Sequence, residues 1–241
     1  MMRSFLAIGV VIALIGCGTG NPKGATTDVA ESTVTGPLWK LVHLPGLDDN
    51  VKHDTLLIQT TFDLGDGTFI MVASNKEETR EGIRICLYRP SADSSAEMIA
   101  FSKPGYDSET MLPSFFSTGK KEDGWILLAN MGERESWGQE AFWLKDQKFH
   151  SLGFLDVAQR DWKTSDDSTF QWRTNIGPRA IVNGMNGKFT ISFSGDSLQL
   201  YDDLQGHREV VIRASSLRYQ CSEGKAALVI NGIAIVANGP V

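Results

Sequence analysis

Beyond its first forty residues the chain alternates short apolar, β-branched runs with clusters of Gly, Asn, Asp and Ser, and nowhere does a long 3.6-residue period take over. Runs at 55–62, 68–74, 84–89 and 124–130 read as strands, and the pattern continues at 141–144, 149–155, 180–182, 188–193, 197–201, 209–214, 226–231 and 233–237. Phe189, Ile191 and Phe193 alternate with Lys188, Thr190 and Ser192, Gly195-Asp196 interrupts, and Leu198 and Leu200 alternate again. This predicts a hairpin over 188–201. Residues 145–148 separate a second pair of runs, and Asn231-Gly232 a third. The exception is Val157-Ala158-Gln159-Arg160, which predicts a helical turn, followed by an exposed polar loop over 163–168.

The expected fold class is therefore all-β: an antiparallel, hairpin-rich sandwich or distorted barrel, with a propeller-like arrangement second. Asp66-Gly67-Thr68-Phe69-Ile70-Met71-Val72 is echoed 57 residues later by Asp123-Gly124-Trp125-Ile126-Leu127-Leu128-Ala129, each after a Phe (Phe62; Phe115, Phe116). That period suits a four-stranded blade, but repeat architectures need more than two copies.

The opening does not belong to this pattern. Arg3 precedes an uncharged apolar run from Phe5 to Ile15, which reads as a secretory signal. Its 11 residues fall short of the roughly 20 that a membrane-spanning helix needs. Leu14, Ile15, Gly16 and Cys17 resemble the lipobox of bacterial lipoproteins: a branched apolar residue, a variable position, a small residue, then the thiol. The resemblance covers only this leader. It implies cleavage after Gly16, diacylglyceryl transfer to the Cys17 thiol, and anchoring by two or three acyl chains. Two or more chains hold stably because each buried methylene contributes about 0.8 kcal/mol. Gly18 stands where Gram-negative members of that family commonly carry the Asp that retains them in the inner membrane, so the resemblance favours the outer membrane. Residues 18–37 contain no aromatic, Leu or Ile and cannot bury a core. They read as a flexible tether with a root-mean-square reach of roughly 25 Å. The expected organisation is a signal peptide at 1–16, a lipidated tether at 17–37 and a single β-rich domain at 38–241.

Charge and cysteine use narrow the partners. Without Arg3 the mature chain carries 22 basic and 29 acidic side chains, a net charge of −7, which disfavours nucleic acid. With Cys17 lipidated, Cys86 and Cys221 are the remaining thiols in an oxidising compartment. Either they form a disulfide or both are buried thiols.

Candidate chemistry centres on 133–140, where Glu133, Glu135 and Glu140 surround Trp137 in an expected loop. A sugar stacked on Trp137 could meet Glu135 and Glu140, the paired carboxylates that glycoside hydrolysis requires; a solvated charged turn is the plainer account. Of the six tryptophans, Trp125 and Trp143 lie in strand-like runs and are core candidates, whereas Trp137, Trp162 and Trp172 sit in polar surroundings and are candidate ligand-binding residues. Asp63, Gly65, Asp66 and Gly67 fit a tight turn better than a calcium loop, and the four histidines show no zinc-ligand spacing, so neither metal nor cofactor is expected. No Gly-x-Ser-x-Gly elbow occurs. Tyr219-Gln220-Cys221-Ser222-Glu223-Gly224 resembles the Tyr/Phe-x-Cys-x-x-Gly opening of lysozyme-inhibitor lipoproteins, but the resemblance covers only this opening, and a strand, a turn at Glu223-Gly224 and a returning strand explain the same residues. The first expectation is a non-enzymatic envelope module that binds cell-wall glycan or an envelope protein. A carbohydrate-active hydrolase and an accessory subunit of an outer-membrane assembly are the alternatives.

Overall fold

A computed structural model describes residues 36–47, 51–77, 82–93, 95–104, 112–131, 138–165, 168–202, 208–222 and 224–235. The described residues form three antiparallel sheets joined by short turns and three 3₁₀ turns, so the fold is all-β. The first sheet is a meander of β2 (Leu56–Asp63), β3 (Phe69–Asn75), β4 (Ile83–Pro90) and β5 (Ala96–Phe101). The second has ten strands. On one side run β6 (Ser114–Ser117), β7 (Trp125–Met131), β8 (Gly138–Lys145) and β9 (Lys148–Leu155). On the other run β12 (Ala180–Met185), β13 (Lys188–Phe193), β16 (Leu217–Ser222), β17 (Lys225–Ile230) and β18 (Ile233–Ile235). β1 (Leu38–Val42) joins the halves, pairing β12 through Leu38 and Trp39 and β6 through Lys40, Leu41 and Val42. The third sheet holds β10 (Val157–Ser165), β11 (Ser168–Thr174), β14 (Ser197–Asp202) and β15 (Arg208–Arg213), in the order β11-β10-β14-β15.

The turns show why the chain folds back where it does. Asp146-Gln147, Asn186-Gly187 and Asn231-Gly232 each have positive φ at both positions, the geometry of a two-residue type I′ hairpin turn. The echo 57 residues apart marks equivalent places: β3 and β7 are the second strands of successive four-strand runs, each entered from an Asp-Gly turn. The expected hairpin over 188–201 does not form. β13 pairs with β12 and β16, while β14 pairs with β10 and β15, so Gly195 (φ 87°) marks a crossing between sheets. Alternation alone cannot distinguish a strand that returns on its neighbour from one that leaves for another sheet. Arg179 holds the crossing by donating Nε to Ser194 O (2.8 Å) and Nη1 to Ser197 O (3.0 Å). The expected helical turn at 157–160 and the loop at 163–168 are also corrected: the described residues there belong to β10 and β11.

The core is layered. β7 sends Ile126 and Leu128 into the interior of the curled ten-stranded sheet, with Phe116, Phe189, Ile191 and Tyr219. Its alternate residues Leu127 and Ala129 pack against Ile70, Val72, Ile85 and Phe142 between that sheet and the β2–β5 meander. A third cluster, with Met71, Cys86 and Tyr88, lies on the far face of the meander. Burial on both faces is why β7 reads as an unbroken apolar run rather than an alternation.

The ten-stranded sheet curls into a half-barrel until β9 comes against β16 and β17. Gly224 N donates to Ser151 O (2.8 Å) at this closure, and Gly153 (φ 99°) lies so near β17 that a Cβ would fall 2.4 Å from Ala226 N. Gly153→Ala is therefore expected to cost about 2–4 kcal/mol, combining positive-φ strain with overpacking. Gly65→Ala, at φ 77° with nothing within 4 Å of the added carbon, is expected to cost only about 1–2 kcal/mol. Urea midpoints of the two variants compare them directly; equal losses would mean that the seam at Gly153 carries no load.

Candidate functional site

Of the residues that sequence grouped around Trp137, the structure describes Glu140. Glu135 and Trp137 lie outside the described residues, as does Glu133. Glu140 is in strand β8, not in a loop, and faces Ala129 of β7 across the ladder. Its side chain is 3% exposed and points into the layer between the half-barrel and the meander, beside Ile83, Ile85 and Phe142. Lys103 Nζ binds its Oε1 at 2.9 Å, and Ser151 Oγ donates to the same oxygen at 3.0 Å. The space around the carboxylate, about 10 Å³, is on the scale of one water. No sugar ring fits there, so Glu140 is a satisfied internal anion rather than an acid presented to substrate. A continuous buried strand leaves its alternate residues no route to solvent, and local sequence does not show that β8 is covered on both faces.

Neighbouring Gln139 and Asn130, opposite each other on β8 and β7, are also buried and joined by Gln139 Nε2 to Asn130 Oδ1 at 2.8 Å. These polar groups hold the β7–β8 register.

Cys86 and Cys221 do not pair. Both are free and buried, Cys86 in the cluster outside the meander and Cys221 in the half-barrel interior. Burial pushes each thiol up to about 12 from its usual 9.0, with Arg84 partly offsetting the effect at Cys86. At neutral pH both are thiols in apolar surroundings, which makes them inert.

Trp125 and Trp143, the expected core candidates, pack against the core as partly buried residues. Among the described tryptophans Trp39 is the buried one, donating Nε1 to Gly184 O (3.0 Å) and meeting Phe189 edge-on. Trp143 is half-buried, with Nε1 on Asp123 O (2.9 Å) and its ring against Phe189 and His150. Trp125 packs partly on the layer beneath the meander and opens on a shallow depression of about 480 Å³ flanked by Lys40, Lys120 and Lys121.

Trp162 and Trp172 lie on β10 and β11, whose hairpin projects from the body. β10 pairs with β14 at Val157 and Ala158, and continues to pair with β11 from Gln159↔Thr174 to Ser165↔Ser168. Seven residues of extended chain give an arm about 20 Å long. Trp162 lies opposite Gln171, and Trp172 opposite Asp161, so strand alternation puts the two indoles on opposite faces. They cannot line one groove. Trp162 is 66% exposed on the face shared with Arg160 and Arg173; Trp172 stacks edge-on with Phe170 (5.8 Å) on the other. At the base of the arm Arg173 Nη1 binds Glu209 Oε1 of β15 at 3.0 Å, and Gln199 Nε2 donates to Glu209 Oε2. An arm of this kind is invisible to periodicity, because polar and aromatic residues alternate on both of its open faces.

No family model matches the chain, and neither a curated protein nor a solved structure is similar to it. Among the described residues no group of three His, Cys, Asp or Glu side chains is placed to hold a metal ion, and no helix is long and apolar enough to cross a membrane.

Two outcomes test these assignments. Lys103→Met leaves the Glu140 charge buried without its cation and should cost about 2–4 kcal/mol, whereas Glu140→Gln leaves only a largely exposed lysine and should cost about 1 kcal/mol. Denaturant titration of both decides it; the reverse order would mean that Glu140 is not the constrained partner. Native protein should leave Cys86 and Cys221 unalkylated at pH 8 and label both after unfolding without reductant. Labelling that requires reductant would establish a disulfide instead.

Proposed function

We propose that this protein is a lipid-anchored, non-enzymatic binding module of the bacterial cell envelope that engages a protein partner through the β10–β11 arm. The observation that carries the reading is the arm itself. A two-stranded ribbon is marginal on its own, yet this one projects with Trp162 on one face and the Phe170–Trp172 pair on the other. Exposed Trp beside Arg is the composition of interface hot spots. Trp162 shares its face with Arg160 and Arg173, the latter already held by Glu209.

The burial of Glu140 supports a binding role over hydrolysis, because that carboxylate is spent on Lys103 and Ser151. The anchor belongs to the same proposal. Cys17 would carry the lipid and residues 18–37 the tether, with outer-membrane placement favoured in a Gram-negative envelope. The described chain enters beside Gly184, near the Met185 end of β12, whereas β11 leads into the Ala180 end of that strand.

A photo-crosslinking residue at position 162, in full-length protein in intact envelopes, is expected to trap a discrete higher-mass species; the same residue at exposed Lys148 is not. Monomer alone from position 162 would sink the arm as a contact surface. Cys17→Ala should move the protein from the membrane fraction to the soluble one. Unchanged membrane association would remove the anchor from the proposal.

A further inference from the structure

A large concavity lies away from the arm. It is an open groove of about 880 Å³ between the outer face of β13 and the segment that runs from the end of β15 through the 3₁₀ turn Ala214–Ser216 into β16. That volume is in the upper part of the roughly 300–1,000 Å³ range of small-molecule sites. Arg213 and Arg218 line it, with the hydroxyls of Thr190, Ser192 and Ser215 and the apolar surfaces of Phe193 and Val211. No carboxylate is among the described residues that line it, in a chain whose net charge is −6. Two acids lie close by. Glu209, two pairs along β15 on the same face as Val211, is bound by Arg173 and Gln199. Asp196 lines the neighbouring depression and turns its backbone carbonyl to Ala214 N (3.1 Å).

The groove is also held in shape before any ligand arrives. Ser216 Oγ donates to Arg213 O (2.8 Å), Asn231 N donates to Ser216 O (2.8 Å), and Ala214 is buried beneath the turn. The backbone bearing Arg213 is thus tied to β14 on one side and to the β17–β18 turn on the other, which lowers the ordering cost of binding.

We propose that this groove binds a sugar carrying a carboxylate or phosphate group. A guanidinium fork matches either anion in a bidentate way. The hydroxyls offer donors and acceptors for ring hydroxyls, and Val211, 52% exposed, supplies an apolar surface for the flat face of a pyranose. The acidic balance of the whole chain repels long polyanions, so the ligand is short and singly or doubly charged. The site shares no residue with the arm and stands whether or not the arm contacts a protein.

The test uses full-length protein in neutral detergent and three probes with one ring type: N-acetylmuramic acid, N-acetylglucosamine 1-phosphate and neutral N-acetylglucosamine, titrated by ligand-observed NMR. At least one acidic sugar is expected to bind about tenfold or more tightly than the neutral one, with affinity falling as salt is raised. Preference for the carboxylate points to wall-derived sugars, and preference for the phosphate to phosphorylated glycolipid headgroups. Arg213→Gln should weaken the acidic sugar about tenfold with the melting temperature unchanged. Val211→Asp should do the same by repulsion, Arg213→Lys should retain part of the affinity, and Trp162→Ala should leave it intact. No binding of either acidic sugar, equal binding of the neutral one, or full affinity in Arg213→Gln would each overturn the proposal.

Discussion

Everything in the large sheet depends on one five-residue strand. β1 pairs with β12 through two residues and with β6 through three, and among the described strands it is the one in the sheet order that links the two halves. Trp39 secures it. Its ring is buried against Phe189, and its N–H is satisfied by Gly184 O, so the strand is held by packing and a hydrogen bond to the same hairpin. The backbone comes close enough there that a Cβ on Gly36 would sit 2.6 Å from Gly184 C. Truncating a buried aromatic of this size typically costs about 3–5 kcal/mol. Here the loss would fall on a seam where few other contacts replace it.

Once that seam is closed, β7 and β8 are covered on both faces, and this decides what the protein does with its buried polar residues. Glu140, Gln139 and Asn130 are placed where water is excluded, so each has to be satisfied inside the protein. Lys103 and Ser151 meet Glu140, and Gln139 Nε2 donates to Asn130 Oδ1. The result is a stiff, specified scaffold whose interior carboxylate has no room for a substrate.

The exposed aromatic and cationic surfaces lie at the periphery, where the small β10–β11–β14–β15 sheet meets the half-barrel. The arm extends this sheet beyond its last contact with β14, and the arginine groove lies along β15 on the other side. The Arg173–Glu209 pair stands between them. It ties the base of the arm to β15 and neutralises the acid that would otherwise face the groove. Rigid strands thus present two surfaces of different chemistry, one aromatic and one cationic.

The residues by themselves determined the all-β class, most strand positions and the tight turns, because period-two patterning and Asn-Gly pairs act over a few residues. They also marked Trp162 as lying in polar surroundings. They did not determine which strands pair. The Gly195 crossing, the β1 seam and the curl that brings Gly153 onto Ala226 all depend on partners far away in the chain. Nor could they show that Glu140 is covered, that Cys86 and Cys221 occupy separate cores, or that Trp162 and Trp172 face opposite ways. Burial and register are properties of the neighbour across the ladder, and only the tertiary structure supplies that neighbour.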